Sequence, residues 1–339
     1  GATRDGDLVY VKARIVLDGG AYASTTAAVA GNAATLGVGP YRVPSVAVDC
    51  WGMYTNNPPC GAMRGFGAVQ AAFAYESQMD KLAAVLGLDP VELRIRNAVA
   101  EGSTIATGQV IDSAAPVAEL LALVRDKPMP PPATVPVDLR EMPGGVSNTT
   151  HGEGVVRGVG YGVGIKNVGF SEGFDDYSTA RVRLEVIGGE PVVSVHTAAA
   201  EVGQGLVTLQ AQIARTELGV QRVTIQPANT AVGSAGSSSA SRQSYVTGGA
   251  VKAACEEVRD AVLRLAADRL GAAGSSIEEI NLVEVLGDEV IERTVEWRHR
   301  PTEELDPLTG QGNAHVQYAF AAHRAVVDVD VELGLVRVV

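Results

Sequence analysis

Residues 54–67 read Tyr-Thr-Asn-Asn-Pro-Pro-Cys-Gly-Ala-Met-Arg-Gly-Phe-Gly, and an apolar pattern with helical spacing begins directly after them. The two consecutive prolines remove two backbone donors and fix φ, so this segment is expected to be a stiff, extended loop. Its three glycines permit sharp turns or the close approach of a bulky group. Between the glycines lie one guanidinium and one ring, those of Arg64 and Phe66, which favours a ligand-binding loop. The alternative is a tight strand-to-helix connection in which Arg64 pairs with a local carboxylate.

The composition is that of a globular protein with a large core. Of the 339 residues, 46% are apolar and 19% are charged, which excludes a disordered chain and leaves room for two domains. The net charge of -12 argues against nucleic acid or an anionic membrane as a partner, because both repel an acidic surface. No apolar run approaches about 18 residues and no leader pattern is present, so neither a membrane span nor a secretion signal is expected.

The cysteines and histidines indicate no metal site built from protein side chains. The three cysteines, Cys50, Cys60 and Cys255, are too few and too widely spaced for a disulfide framework or a C-x-x-C site. They fit a reducing compartment, so a cytoplasmic location is expected. The five histidines show no spacing typical of zinc ligands.

The first part of the chain mixes strand and helix patterns. Strands are predicted at 8–17 and 43–53, a partly helical stretch at 21–39, and helices at 68–86, 90–96 and 116–125. Asp89 followed by Pro90 is a typical helix start, with a capping side chain and a first-turn proline. Within the helix at 68–86, Phe73 and Met79 are expected to be core residues.

A proline-dense stretch from 127 to 136 lacks the donors that a sheet requires and indicates an extended connector. We therefore predict a first domain at 1–126, a linker at 127–150 and a second domain at 151–339. In the second domain, strands are predicted at 177–187 and 192–199 around a Gly188-Gly189 hairpin, a helix ending at 218, a strand at 223–226 and a helix at 248–270. Strands in hairpins with a polar loop around 301–312 are predicted from 277 to 339. The fold class is α+β, with two mixed α/β domains.

Two further loops carry ligand-binding features. Gly203-Gln204-Gly205 precedes a helix, where free N–H groups and the positive end of the helix dipole favour an anion by about 0.3–1 kcal/mol. The alternative is an ordinary junction between a strand and a helix. Ser239-Ala240-Ser241 lies in a run of small residues whose accessible backbone and hydroxyl groups suit a polar cofactor. The alternative is a flexible linker. The position of the run between a strand and a long packed helix argues against that alternative.

The run Pro-Pro-Cys-Gly-Ala-Met-Arg-Gly-Phe-Gly-Ala-Val-Gln at 58–70 resembles the arginine-glycine-phenylalanine-glycine loop of the xanthine dehydrogenase/aldehyde oxidase family of molybdenum hydroxylases. The other two loops resemble, in the same order, the family's glycine-glutamine-glycine loop and its serine-bearing loop. The resemblance implies the molybdopterin-binding part of the large subunit, with the following cofactor-binding residues: Met63, Arg64, Gly203, Gln204, Gly205, Ser239, Ala240 and Ser241. It also implies three substrate-binding positions, at Phe66, Asn32 and Asn167. Purine-oxidising members have an arginine where this chain has Asn32 and an aromatic ring where it has Asn167, so xanthine is not the expected substrate.

The resemblance implies an enzyme that hydroxylates an N-heterocycle or an aldehyde with oxygen from water. The cofactor would be molybdopterin, with or without a nucleotide extension. No cluster-binding cysteine motif is present, so Fe-S centres and FAD are expected on partner domains or subunits of an oligomeric complex. The family's glutamate base is expected outside this chain, since Glu153 and Glu190 lie in unsuitable places, and the chain alone is expected to be inactive. The alternative is a non-catalytic scaffold, or a cofactor-free fragment that docks partner subunits.

Overall fold

The computed structural model describes residues 1–131, 155–271, 276–331 and 333–339. Contacts divide the chain into a first unit, Gly1–Lys166 with Tyr318–Val339, and a second unit, Asn167–Gln317. Both units combine helices with strands, which confirms the α+β class. The division into 1–126, 127–150 and 151–339 stays a prediction: 132–150 lies outside the described residues, and the last strands group with the first unit.

The described residues of the first unit form two small sheets and four helices. Its elements are β1 (Tyr10–Gly20), α1 (Thr26–Thr35), β2 (Ser45–Tyr54), α2 (Ala68–Leu86), α3 (Pro90–Asn97), α4 (Val117–Arg125), β3 (Val155–Val168), β8 (Gln317–Asp330) and β9 (Val336–Val338). Strands β1 and β2 pair in parallel, and the other sheet has the order β3-β8-β9. The helix predicted at 68–86 has the bounds of α2, and the Asp89 side chain caps α3 as predicted.

The core of the first unit is built around one stripe of α2. Ala71, Tyr75, Met79 and Ala83 recur every four residues and are buried together. The expectation that Phe73 belongs to this core is wrong, because its side chain is 82% exposed. Phe73 lies two residues from both Ala71 and Tyr75, and two residues correspond to more than half a turn of helix. It therefore points away from the buried stripe.

The second unit is a four-stranded sheet with two long helices packed on it. Its elements are β4 (Tyr177–Ile187), β5 (Glu190–Thr197), α5 (Leu206–Leu218), β6 (Arg222–Ile225), α6 (Gly248–Leu270), α7 (Leu282–Leu286) and β7 (Ile291–Arg298). The strand order is β6-β5-β4-β7, with β5 and β6 parallel and the other pairs antiparallel. Alanine and valine side chains of α6 pack with the inner residues of β4 and β5 to form the core.

The predicted hairpin between β4 and β5 is confirmed. Gly188 and Gly189 have φ values of 65° and 80°, and Ile187 pairs with Glu190 across the turn. Glu190 thus belongs to the hairpin, while Glu153 lies outside the described residues. No described helix combines the length and the hydrophobicity that crossing a bilayer requires.

The prediction that the strands of this last part begin at 277 is wrong for its first ten residues. A 3-10 turn at Ile277–Glu279 and the short helix α7 occupy that stretch. The Asn281 side chain accepts a hydrogen bond from the N–H of Glu284, and Val285 and Leu286 are fully buried in the core. Capping and packing therefore override the strand preference of the valines and isoleucines.

Candidate functional site

The loop between β2 and α2 is fixed by its own backbone. Gly65, Phe66 and Gly67 have φ values of 100°, 52° and 101° in succession. A positive φ at a bulky residue such as Phe66 costs on the order of 1–3 kcal/mol, so the surrounding packing must hold it. A Cβ at Gly67 would lie 2.2 Å from the carbonyl oxygen of Val29 and 2.7 Å from the nitrogen of Ala33. Only glycine lets the loop lie this close to α1.

The entry to the same loop is fastened to the end of β1. The Asp18 carboxylate accepts hydrogen bonds from the hydroxyl of Thr55 at 2.5 Å, from the side-chain amide of Asn57, and from the N–H of Gly20 at 3.0 Å. These bonds, that of Thr55 first, lower the pKa of Asp18. Gly20 also makes room for the loop, because a Cβ there would lie 2.3 Å from the carbonyl oxygen of Pro58.

Arg64 extends from this fixed loop into solvent. Throughout the described part of the chain, its guanidinium makes no hydrogen bond and no ion pair. The alternative of a local carboxylate partner is therefore not found among those residues. Its neighbour Met63 is 68% exposed. All five N–H donors of the guanidinium are thus open to a ligand.

The structure brings Asn32 together with the Arg64 loop. Asn32 is half-buried on α1, and its Cβ would lie 3.2 Å from a Cβ at Gly67. Asn167 belongs to the second unit, where its side chain is 3% exposed and its amide nitrogen lies 3.3 Å from Nδ1 of His315. Substrate contacts of Phe66, Asn32 and Asn167 stay predictions.

In the second unit, the expectation of free N–H groups at the start of α5 is wrong. The Glu201 carboxylate accepts hydrogen bonds from the N–H groups of Gly203 at 2.8 Å, Gly205 at 3.1 Å and Val207 at 3.0 Å. The bond from Val207 is the main cause of the lowered pKa of Glu201, with further contributions from the other two bonds. A side chain of the turn itself therefore supplies the negative charge that the helix start favours.

Gln204 completes this turn. Its side-chain oxygen accepts a hydrogen bond from the N–H of Val202 at 2.6 Å, and its Nε2 donates to the carbonyl oxygen of Ala200 at 2.9 Å. An amide nitrogen carries two N–H donors, so one remains for a ligand. The side chain is exposed. Gly203 and Gly205 have φ values of 93° and 82°, which are positive backbone conformations that let the chain turn sharply at both positions.

We expect Glu201→Gln to weaken the second unit only when Glu201 is ionised. A lowered folded-state pKa means that the carboxylate stabilises the fold above its usual pKa of 4.5, and that this stabilisation is lost as the pH falls through the folded-state value. The urea midpoint of the variant should lie below that of the parent protein at pH 7, and the difference should shrink towards pH 3. Glu257→Gln, at an exposed position on α6, is the control. A difference that persists unchanged at pH 3 would contradict this role.

The run of small residues before α6 forms an exposed loop over a buried arginine. Ala240 and Ser241 have φ values of 63° and 53°, and the hydroxyl groups of Ser237 and Ser239 lie 2.9 Å apart. Beneath this loop Arg242 is fully buried. The loop is joined to the Gln204 turn by a small apolar cluster of Ala199, Leu206 and Ala235. Within the second unit, the structure thus places the two predicted cofactor loops side by side.

Sequence reasoning missed Glu201, Arg242 and the carboxylate that pairs with Arg242, Asp176. Arg242 carried a usable signal, because it is the only charged residue between 223 and 251. A lone cation at the end of a small-residue run must either reach solvent or find a buried partner. Glu201 carried a weaker signal: an acidic residue just before a glycine-rich helix start can accept hydrogen bonds from the first N–H groups of that helix.

Comparisons with known proteins agree across the chain. Family models described as "Molybdopterin cofactor-binding domain" match residues 1–98 and 137–339. The nicotinate dehydrogenase large molybdopterin subunit of Eubacterium barkeri is 47% identical over 127 residues, which is 38% of this chain and 30% of that protein. The aldehyde oxidoreductase of Megalodesulfovibrio gigas is 30% identical over 98% of this chain and 34% of its own length.

A solved structure agrees with these sequence matches. The aldehyde oxidoreductase from Desulfovibrio gigas superposes with a TM-score of 0.72 and 27% identity, covering 100% of this chain and 35% of that one. The chain thus spans about a third of the length of the curated relatives given above.

Proposed function

Because this chain belongs to the xanthine dehydrogenase/aldehyde oxidase family of molybdenum hydroxylases, we propose that it serves an enzyme that hydroxylates an N-heterocycle or an aldehyde with oxygen from water. The observation that carries this proposal is the exposed Arg64 guanidinium on a loop fixed by three residues with positive φ. When bound, the molybdenum centre supplies the two-electron oxidation that accompanies such a hydroxylation.

The residues present fit a polar, anionic cofactor such as molybdopterin. In the first unit the guanidinium of Arg64, with Met63 beside it, would hold the cofactor. In the second unit the free N–H of Gln204 and the Ser239–Ser241 loop offer further donors. A Cβ at Gly203 or at Gly205 would meet nothing within 4 Å, so a cofactor can lie close to that turn although its N–H groups bond to Glu201. Hydrogen bonds from charged donors are the strongest of these, which makes Arg64 the principal anchor.

The substrate and the partners of the whole protein follow from the same proposal. The name of the Eubacterium relative favours a pyridine-type N-heterocycle, and that of the Megalodesulfovibrio relative favours an aldehyde. Electrons would leave through Fe-S centres and FAD on partner domains or subunits, in line with the relative named as a subunit. We also infer a cytoplasmic location, which the three free cysteines support.

The second candidate is a scaffold that docks partner subunits without a cofactor. The exposed Phe73 and Val85 on α2 favour a contact surface. Molybdenum and pterin content of the purified protein separates the two candidates, because a scaffold would contain neither.

Arg64→Ala is expected to lower the molybdenum and pterin content. Hydrogen bonds to charged groups contribute about 1.5–3 kcal/mol, so the cofactor should bind roughly 10- to 150-fold more weakly. The thermal midpoint of the cofactor-free protein should not change, because Arg64 has no partner within the described residues. Arg4→Ala, at another exposed arginine of the first unit, is the control. Full retention of molybdenum and pterin in Arg64→Ala would contradict the proposal.

A further inference from the structure

The buried pair of Asp176 and Arg242 lies directly beneath the Ser239–Ser241 loop. The Nε and Nη2 atoms of Arg242 each donate to one Asp176 oxygen at 2.6 Å, and Asp176 is 3% exposed. Such a two-point pair is both strong and directional. One positive and one negative charge are buried together, so the pair adds no net charge to the interior.

The remaining donors of Arg242 all bind backbone carbonyl groups. Nη1 donates to the carbonyl oxygens of Ala235 and Ser237, the latter at 3.0 Å, and Nη2 donates to that of Tyr177 at 2.7 Å. With the two bonds to Asp176, all five N–H groups of the guanidinium are used. Two of the three carbonyl groups, those of Ala235 and Ser237, belong to the run of small residues at 233–241 that includes the Ser239–Ser241 loop. The arginine therefore ties the inner side of the loop to the start of β4.

The loop backbone is shaped around the guanidinium of Arg242. Gly236 has φ of 61°, and a Cβ there would lie 2.9 Å from Cζ of Arg242. A glycine at this position leaves space for the guanidinium. On the other side of the arginine, Ala240 and Ser241 both adopt left-handed backbone conformations that non-glycine residues rarely hold without support.

A second buried chain of hydrogen bonds ends on the same loop. Nε2 of Gln243 donates to the carbonyl oxygen of Ser237 at 2.9 Å, and the Thr247 hydroxyl donates to the side-chain oxygen of Gln243. Thr247 in turn lies 3.0 Å from the hydroxyl of Ser178 on β4. Gln243 and Thr247 are the first and last residues of one turn of π-helix, a feature frequent at functional sites. The Ser237 carbonyl is thus held by two side chains.

We propose that Asp176 and Arg242 are positioning residues that hold the Ser239–Ser241 loop in its cofactor-binding shape before the cofactor arrives. This inference rests on the proposed function, because the loop is a predicted molybdopterin contact. The pair itself is buried and is therefore not exposed to a ligand. It acts by holding hydroxyl and backbone groups at the surface, so the cofactor does not have to order the loop when it binds.

The test measures loop order and cofactor content separately in the whole protein. Arg242→Lys keeps the positive charge but loses the planar guanidinium that bonds both oxygens of Asp176. Asp176→Asn keeps the shape of the side chain but loses its negative charge. Loop order is measured in cofactor-free protein as the rate of cleavage within 233–241 by an elastase, which accepts small side chains. Cofactor content is measured as molybdenum and pterin per protein after purification from cells. Arg259→Lys is the control, since Arg259 pairs with Glu217 at 2.8 Å in the same unit and makes no bond to the loop.

We expect both variants to be cleaved roughly tenfold faster in the loop and to retain roughly tenfold less molybdopterin, with no such change in Arg259→Lys. Should either variant fail to fold, Gly236→Ala displaces the guanidinium while keeping both charges and should give the same two changes. Unchanged cleavage would overturn the inference. Faster cleavage with the parent content of molybdopterin would also overturn it, because the pair would then order the loop without serving the cofactor. A parent protein that itself lacks molybdopterin would instead overturn the proposed function.

Discussion

Arg94→Met is expected to lower the free energy of opening of the first unit by about 3–5 kcal/mol, because it leaves a buried carboxylate without its cation. Arg94 is fully buried, and its Nε lies 2.8 Å from Oε2 of Glu76. The same Oε2 accepts the N–H of Val163 in β3 at 3.1 Å, and the other Glu76 oxygen accepts the hydroxyl of Tyr41. The pair therefore joins α2, α3 and β3 through hydrogen bonds that no apolar side chain replaces.

The pH dependence of this loss identifies Glu76 as its source. Burial raises the pKa of Glu76 above its usual value of 4.5 even with Arg94 present. Because the folded-state pKa is raised, the contribution of Glu76 to the free energy of unfolding is most favourable below pH 4.5. That contribution is lost as the pH rises through the folded-state pKa. Without Arg94 the charged form is less favourable still. The effect of Arg94→Met should therefore be largest at neutral pH and should shrink as the pH falls through the folded-state pKa values of Glu76 in the variant and in the parent protein, both of which lie above 4.5.

Hydrogen exchange of the amides in α2 and α3 measures the opening free energy directly. Adding Glu76→Gln to Arg94→Met should recover part of the loss, because the glutamine has no charge to leave unpaired. Arg125→Met breaks the exposed pair with Glu92 and should have a much smaller effect. A loss for Arg94→Met no larger than that for Arg125→Met would show that the buried pair is dispensable.

The second large effect concerns the substrate: the complete enzyme should use xanthine at least about 100-fold less efficiently than its best aldehyde or pyridine-type substrate. The family resemblance puts Asn32 where purine-oxidising members have an arginine. A positioned donor that stabilises charge developing in the transition state contributes about 3–4 kcal/mol, or roughly 10²–10³-fold in rate. Asn32 offers a hydrogen bond without a charge. Its Cβ lies 3.2 Å from a Cβ built at Gly67, the residue that follows Phe66, the predicted ring contact.

The measurement is kcat/KM for xanthine, nicotinate and a set of aldehydes with the complete enzyme. Asn32→Arg should raise kcat/KM for xanthine, whereas Asn32→Lys should raise it less, because lysine lacks the planar fork. Xanthine as the best substrate by tenfold in the parent enzyme would show that the selectivity does not depend on position 32.

The elements readable from the sequence are those determined by neighbouring residues. The bounds of α2 follow from apolar residues at three- and four-residue spacing between Gly67 and Gly87. The start of α3 follows from Asp89, whose side chain accepts from the N–H groups of Val91 and Glu92. The Arg64 loop was recognisable for the same reason, since its prolines, glycines, cation and ring occupy consecutive positions.

The missed features depend on distant or three-dimensional relations. Asp176 and Arg242 are 66 residues apart, and the sequence around either residue does not indicate that the other is its partner. The capping of α5 by Glu201 depends on the sharp turns at Gly203 and Gly205, which bring three N–H groups towards one carboxylate. Helix α7 depends on the burial of Val285 and Leu286, which the strand preference of its residues conceals. Tertiary packing decided each of these cases.

The close contact of Gly67 with α1 limits how this site can diverge during evolution. Any side chain at position 67 would displace the backbone of α1, and position 66 already carries an unfavourable backbone conformation. Mutations at positions 66 and 67 are therefore expected to be removed by selection for folding before they can alter selectivity. The half-buried face of α1 at Asn32 is free of this constraint. Lineages that share the loop are thus expected to acquire new substrates through substitutions on the helix and to keep positions 66 and 67 unchanged.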